Sequence, residues 1–254
     1  MEFHYLIYLF AFFAGMVDAA VGGGGLIQVP ALFNLFPQAT PATLLGTNKF
    51  ASIVGTSFSA QRYLNKITLS WQIFLPAMFS AFLLSYLGAS AVSLIPRQTM
   101  RPIVLVLMMM VTIYTLHRKD FGLTHAPQNI GRTEQIKAII IGGGIGFYDG
   151  IFGPGTGSFL IFMFIRFFAM DFLHASATAK LVNLATNAAA LCYFIPSGNV
   201  LFAVALPMAL ANMLGAVTGT WLALRHGAKW VRILFLILVS LQIIKLSYDV
   251  LMGI

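Results

Sequence analysis

Residues 15–25 read GMVDAAVGGGG, and residues 146–156 read GFYDGIFGPGT. The two stretches align without a gap when the sequence is shifted by 131 residues. Each carries one aspartate, Asp18 or Asp149, four residues before a glycine of a helix-breaking run. Glycine and proline interrupt helices. The pair of stretches therefore predicts two related halves, each with an interrupted helix.

The same shift aligns distinctive residues throughout both halves. Chance matches between apolar residues would mean little in this sequence, but these matches involve lysine, proline, glycine and arginine. They pair Thr47 with Thr178, Lys49 with Lys180, Pro76 with Pro207, Gly88 with Gly219 and Arg101 with Arg232. A single register across a whole half indicates internal duplication. We predict a first transmembrane repeat over 1–117, a connecting loop over 118–133 and a second transmembrane repeat over 134–254.

The composition predicts a membrane protein. Of the 254 residues, 59% are hydrophobic and only 9% are charged, where a soluble domain carries about 25% charged residues. Such sparse charge excludes a disordered chain and nearly every soluble enzyme. The single cysteine, Cys192, excludes an internal disulfide framework. The sequence contains no run of five like charges, so a nucleic-acid partner is not expected. The predicted fold class is an all-α polytopic protein whose partner is the lipid bilayer.

Ten apolar segments divide equally between the halves. Two of them, 26–36 and 157–169, are short and follow the glycine-rich breaks, as in the interrupted helices of transporters. The alternative is that the short segments do not cross the bilayer, which leaves four crossings per half. The ten segments are 3–21, 26–36, 43–63, 69–95, 100–117, 136–152, 157–169, 173–195, 200–224 and 231–251.

Loop charges predict that the repeats are inverted. Arg62 and Lys66 follow the third segment of the first half, whereas the equivalent loop of the second half, 196–199, is uncharged. Positively charged loops stay on the cytoplasmic side, so equivalent loops lie on opposite sides of the membrane. Both termini are then periplasmic. Arg97 and Arg101 disagree, because this topology places them outside.

Polar residues inside the apolar segments predict an anion site. Lys49, Ser52 and Thr56 share the spacing of Lys180, Asn183 and Asn187, which places each set on one helix face. Lysine ammonium groups and the N–H groups of helix N-termini bind anions. The predicted substrate-binding residues are Lys49, Lys180, Asn48, Ser52, Thr56, Asn183, Asn187, Gly22, Gly23, Gly24, Gly25, Gly153, Gly155, Thr156, Gly157 and Ser158.

The two aspartates allow several interpretations. Asp18 and Asp149 could hold the lysines in place, carry a coupled proton, or form purely structural ion pairs with them. No cysteine–histidine spacing indicates a metal, and no ATP or dinucleotide motif is present, so neither a metal nor a cofactor is expected. His125 falls in a predicted loop, where solvated histidines are common, and His174 has no counterpart in the first half.

Both motif regions resemble the TauE/SafE family, also called TSUP or DUF81. The resemblance rests on residues 15–26 with 46–49 in the first half, and on 146–158 with 179–183 in the second. The form GFYDGIFGP at 146–154 is most similar to the YfcA-like branch. The resemblance implies a transporter of small sulfur-containing anions, such as sulfite, thiosulfate or organosulfonates, in a bacterial inner membrane.

Several points stay open in this interpretation. An anion channel would share the same sequence features as a carrier. An integral-membrane enzyme using Asp18 and Asp149 as acid and base is a further alternative, but nothing in the sequence supplies a nucleophile or a metal for it. The particular anion, the direction of transport, proton coupling and the oligomeric state are not determined by the sequence.

Overall fold

The computed structural model describes residues 5–92, 122–126 and 130–252, and within them not the side chains at 239, 242, 245–247 and 249–252. These ranges contain eight helices and no strand. The predicted fifth segment, 100–117, lies outside the described residues. The helices are α1 (Leu6–Val21), α2 (Gly25–Leu35), α3 (Pro41–Leu64), α4 (Trp71–Ala91), α5 (Arg132–Ile151), α6 (Thr156–Phe168), α7 (Phe172–Phe194) and α8 (Phe202–Met252).

Local signals explain where the helices begin. The Thr40 hydroxyl caps α3, with proline in its first turn, and the Asp171 carboxylate caps α7 by accepting from the His174 N–H. Glu134 accepts a hydrogen bond from the Gly131 N–H at 3.0 Å. This contact stabilises the first turn of α5, so helix already begins at Arg132, within the loop expected over 118–133. In α8, Gly227 has φ 74° and separates the predicted segments 200–224 and 231–251.

Only two stretches of the described chain satisfy the length and hydropathy expected of a membrane span. They are Trp71–Ala91 and Phe202–Leu238. Three of the four helices flanking the two breaks are shorter, with 16 residues in α1, 11 in α2 and 13 in α6, against about 20 for a complete crossing. Within the described residues, the two segments that follow the breaks therefore lack the length of a complete crossing.

Many large apolar side chains lie on the surface of the helical bundle, and several polar residues lie in its interior. Leu206, Leu210 and Leu214 recur every four residues along α8 and are 54%, 61% and 57% exposed. Asn187 and Lys180, in contrast, are buried. A soluble protein has the opposite distribution, whereas helices in lipid expose their apolar faces.

Glycines allow two pairs of helices to pack closely. On α5, Gly142, Gly146 and Gly150 lie against the backbone of Ala77, Ala81 and Ser85 of α4, so α4 and α5 run in parallel. On α8, Gly215 and Gly219 face Phe12 and Met16 of α1 in the same parallel manner. The spacing of four residues between glycines is typical of tight helix packing in membranes.

Helices α3 and α7, which occupy equivalent places in the two halves, run antiparallel. Gly46, near the start of α3, lies against Phe194 at the end of α7, while Ala60 and Leu181 share a cluster near the opposite ends. Helix α8 runs parallel to α3, since Gly55 contacts Asn212 and Ala216 and Phe50 contacts Phe202.

Helix α4 runs parallel to α7. Phe74 and Leu181 share a buried cluster in the first half of each helix, and Tyr86 contacts Tyr193 near their ends. Helices α1, α3 and the start of α8 consequently point one way, and α4, α5 and α7 point the other way.

Candidate functional site

Two ion pairs inside the helical bundle connect the halves of the molecule. The ammonium Nζ of Lys49 lies 2.6 Å from Oδ2 of Asp149, and that of Lys180 lies 2.6 Å from Oδ2 of Asp18. Each lysine therefore contacts the aspartate of the other half. The side chains of Lys49, Asp149 and Lys180 are at most 3% exposed, whereas Asp18 is 16% exposed. The second pair is the one that solvent reaches.

Each aspartate also contacts the glycine-rich break of its own half. Oδ1 of Asp18 accepts a hydrogen bond from the Gly24 N–H at 3.4 Å. Oδ1 of Asp149 accepts one from the Thr156 hydroxyl at 2.7 Å. Each aspartate carboxylate thus links the break of its own half to the lysine of the other half. The ammonium, N–H and hydroxyl groups that donate to these carboxylates are of the kinds that also bind oxyanions.

The two breaks cross each other in the interior. Gly22, with φ 76°, packs directly against Gly157, and Gly25 packs against Pro154. The Ser158 N–H donates to the Gly22 carbonyl at 3.2 Å, and the Ser158 hydroxyl donates to the Val21 carbonyl at 3.0 Å. The N–H groups of Ser158 and Gly24, which we expected to be free for an anion, therefore have partners inside the protein.

The predicted polar stripes are largely buried. Asn48 and Thr56 on α3, and Asn183 and Asn187 on α7, are at most 7% exposed, and Ser52 is partly exposed. Oδ1 of Asn48 and Oγ1 of Thr56 have no hydrogen-bond partner among the described residues. Buried polar atoms without partners are rare, and they often mark the position of a water or a ligand.

Three further polar residues were missed from the sequence. Nδ2 of Asn212 donates to Oε1 of Gln28 at 3.0 Å, and Gln28 is completely buried with Nε2 unpartnered within the described ranges. Ser59 is likewise buried and unpartnered there. Repeat matching could not find them, because a shift of 131 residues sets apolar residues against all three. The available signal was a glutamine inside the short apolar segment 26–36.

A basic cavity of about 610 Å³ lies at the end of the molecule where α3 ends and α7 begins. Leu173 lines this cavity, and Lys180 follows two turns later on α7, about 10 Å along the helix. The cavity and the Lys180–Asp18 pair are therefore about two helical turns apart along α7. Clefts lined by one sign of charge concentrate ions of the opposite sign. The lining residues are Arg62, Asn65, Lys66, Ile67, Leu173, Trp221, Leu224 and Arg225.

Comparison with known protein families agrees with the motif resemblance. The model of a family described as "Sulfite exporter TauE/SafE" matches residues 7–246. The chain belongs to the TauE/SafE family. The match includes both breaks, both lysines and both aspartates, and it confirms the resemblance drawn from the two motif regions.

Individual relatives of this TauE/SafE protein are similar over nearly their whole length. "Probable membrane transporter protein ORF9" of Sinorhizobium sp is 32% identical, over 98% of this chain and 95% of its own. "Probable membrane transporter protein YfcA" of Escherichia coli (strain K12) is 34% identical, over 96% and 89%. A "Probable membrane transporter protein" of Haemophilus influenzae is 28% identical, over 96% and 94%. No solved structure matches the chain.

These descriptions confirm two expectations from the sequence. The relatives are described as membrane transporters, which supports a membrane location for this TauE/SafE protein. They are not described as enzymes, in agreement with the absence of a nucleophile or metal motif from the sequence.

Proposed function

We propose that this TauE/SafE protein is a secondary transporter that carries small sulfur-containing anions across the bacterial inner membrane. The observation that carries the proposal is that each of the two aspartate carboxylates contacts a set of donors that would also suit an oxyanion. Lys180 and Gly24 hold Asp18, while Lys49 and Thr156 hold Asp149. Sulfite, thiosulfate and sulfonates present the same kind of oxygen, and the description of the family supports sulfur as their central element.

The arrangement of helices supports inverted repeats. A two-fold axis in the membrane plane would exchange α1 with α5, α3 with α7, and α4 with the start of α8, and would reverse the direction of each. The described helices have these directions, and the crossed ion pairs obey the same exchange. Binding between such repeats is typical of alternating-access carriers. With the basic cavity on the cytoplasmic side, both termini are periplasmic.

Charge balance suggests how the anion enters. The charges of the two lysines and the two aspartates sum to zero. A bound anion would therefore add an uncompensated negative charge inside the membrane, where such a charge is costly. If a proton from water binds the Asp18 carboxylate, the neutral acid releases Lys180 and Gly24. One anion oxygen then takes the place of the carboxylate, and the proton and anion leave together on the other side. We therefore propose that one proton accompanies each negative charge.

The function can be tested by transport in proteoliposomes. We expect saturable uptake of labelled sulfite, thiosulfate or a short sulfonate, and accelerated exchange when the same anion is loaded inside. Liposomes without protein are the control. Uptake that never saturates and shows no counterflow would indicate a channel, and no flux of any of these anions would refute the proposed substrate class.

The coupling can be tested with Asp18→Asn. The amide imitates the protonated acid, so we expect exchange of the anion to continue while uptake driven by a pH gradient is lost. Without anion the variant should have a lower Tm, because Lys180 is left unpaired, and the increase of Tm on adding anion should be larger and independent of pH. Glu134→Gln, which removes a carboxylate at the start of α5, is the matched control. Wild-type pH dependence in Asp18→Asn would contradict this role.

A further inference from the structure

Three potential metal ligands meet outside the proposed transport site. His125 lies in the short described segment between the halves, and Asp171 and His174 lie at the start of α7. One ligand atom from each residue lies within 4.8 Å of the other two. The separation of 46 to 49 residues between His125 and its partners explains why no local motif revealed the cluster.

Hydrogen bonds hold two of these side chains in position. Oδ1 of Asp171 accepts from the His174 N–H at 2.7 Å and lies 2.9 Å from Nδ1 of the His174 ring. This contact holds the ring with Nδ1 facing Oδ1, and an ion bound to both atoms would replace the proton between them. The His174 ring is therefore already fixed before an ion arrives.

The segment that carries His125 is attached to the same junction. The Ala126 N–H donates to the Ala169 carbonyl at 3.0 Å, and the Phe172 N–H donates to the Gly122 carbonyl at 2.8 Å. Ala169 has φ 52°, the one positive value at a non-glycine residue within the described ranges. Strained backbone of this kind persists where the surrounding structure requires it, and it often lies at functional sites.

We propose that His125, Asp171 and His174 form a binding site for a divalent transition-metal ion of the Zn²⁺ type. Two imidazole nitrogens and a carboxylate oxygen are typical Zn²⁺ ligands, and a water completes a four-coordinate site. A cavity of about 50 Å³ lined by both histidines, Glu134 and Thr178 adjoins the cluster. Its volume exceeds the roughly 30 Å³ that one water occupies.

Binding requires a modest movement of His125. The two imidazole rings are stacked, with centroids 3.9 Å apart and planes 12° apart, and one ion cannot lie in both planes. Ligand atoms around a tetrahedral ion lie about 3.4 Å apart, given metal–ligand distances of about 2.1 Å. His125 is exposed, so its ring can turn toward the ion, and a small shift widens the 2.9 Å separation between Asp171 Oδ1 and His174 Nδ1. The bound ion would then cross-link the connecting segment to α7, the helix that carries Lys180.

The site can be tested by titrating the full chain with Zn²⁺. The protein, purified with a tag that contains no histidine and stripped with a chelator, is titrated calorimetrically, and Co²⁺ absorption reports the coordination geometry. We expect one strong site per chain, a higher Tm with Zn²⁺, and at least a tenfold loss of affinity in His125→Gln and in His174→Gln. Effects of that size, about 10- to 100-fold, are typical even for residues that only support a metal site.

His226→Gln provides the matched control, because His226 is an exposed histidine whose Nδ1 contacts its own helix. This variant should bind Zn²⁺ as the wild type does. His125→Gln keeps the test decisive if His174→Gln is unstable, since His125 is exposed on a loop. Absence of a strong Zn²⁺ site in the wild type, or unchanged affinity in His125→Gln, would overturn the proposal.

Discussion

We expect Lys49→Met to abolish anion uptake and to destabilise the protein, whereas Lys49→Met/Asp149→Asn recovers stability without recovering uptake. The single change leaves the buried carboxylate of Asp149 without its cation. Breaking a buried ion pair in this way costs about 3–5 kcal/mol. The double variant removes both charges, so no isolated charge remains and much of that cost disappears.

The double variant separates a binding role from a structural role. If the Lys49–Asp149 pair only joins the helices, an uncharged pair of similar size should transport nearly as well as the wild type. If Lys49 binds the anion, uptake stays absent although the protein folds. Thermal unfolding in detergent and uptake into proteoliposomes measure the two properties separately. Restored uptake in the double variant would contradict a role of Lys49 in binding the anion.

Lys137→Met is the matched control for this experiment. Lys137 also forms an ion pair, with Glu134 at 3.5 Å, but its side chain is 41% exposed. Exposed pairs contribute about 0–1 kcal/mol, so both stability and uptake should remain close to those of the wild type. If Lys137→Met lost as much stability and uptake as Lys49→Met, the effect of Lys49→Met would not be specific to its buried position.

The sequence singled out four charged residues that the structure brings together, but it did not show which of them pair with each other. The shift of 131 residues singled out Asp18, Lys49, Asp149 and Lys180, because charged residues are rare in apolar segments and matched in both halves. It could not show that each lysine pairs with the aspartate of the other half. That pairing depends on the packing between halves, which periodicity within one helix does not report.

Helix lengths show a similar limit of sequence reasoning. Apolar runs predicted the existence of the helices well, and the glycine runs marked the two breaks. Whether α2 and α6 cross the bilayer depends on how the breaks pack, and the structure has the breaks in contact with each other. Gln28 and Asn212 were missed for a related reason. Their contact joins residues 184 positions apart, and neither has a polar counterpart in the other half.

We expect Gly22→Ala to be strongly damaging, because among the described glycines Gly22 combines a positive φ with close backbone neighbours. At φ 76° an alanine is strained by roughly 1–2 kcal/mol, and its Cβ would lie 2.5 Å from the Gly157 Cα and 2.7 Å from the Ser158 nitrogen. Both contacts are with backbone, so no side chain can rotate away. The breaks must separate, which disturbs the Asp18 contact to Gly24 and moves the carboxylate relative to Lys180. We expect a total cost of about 3 kcal/mol or more and loss of uptake.

Gly144→Ala adds the same methyl group where nothing lies within 4 Å of it. Alanine is favoured over glycine inside a helix by about 1 kcal/mol, so this control should retain uptake and equal or exceed the wild-type Tm. The comparison distinguishes contact between the breaks from a general sensitivity of the bundle to added volume. If Gly22→Ala kept the wild-type Tm and uptake, the crossing of the breaks could not be what positions Asp18 against Lys180.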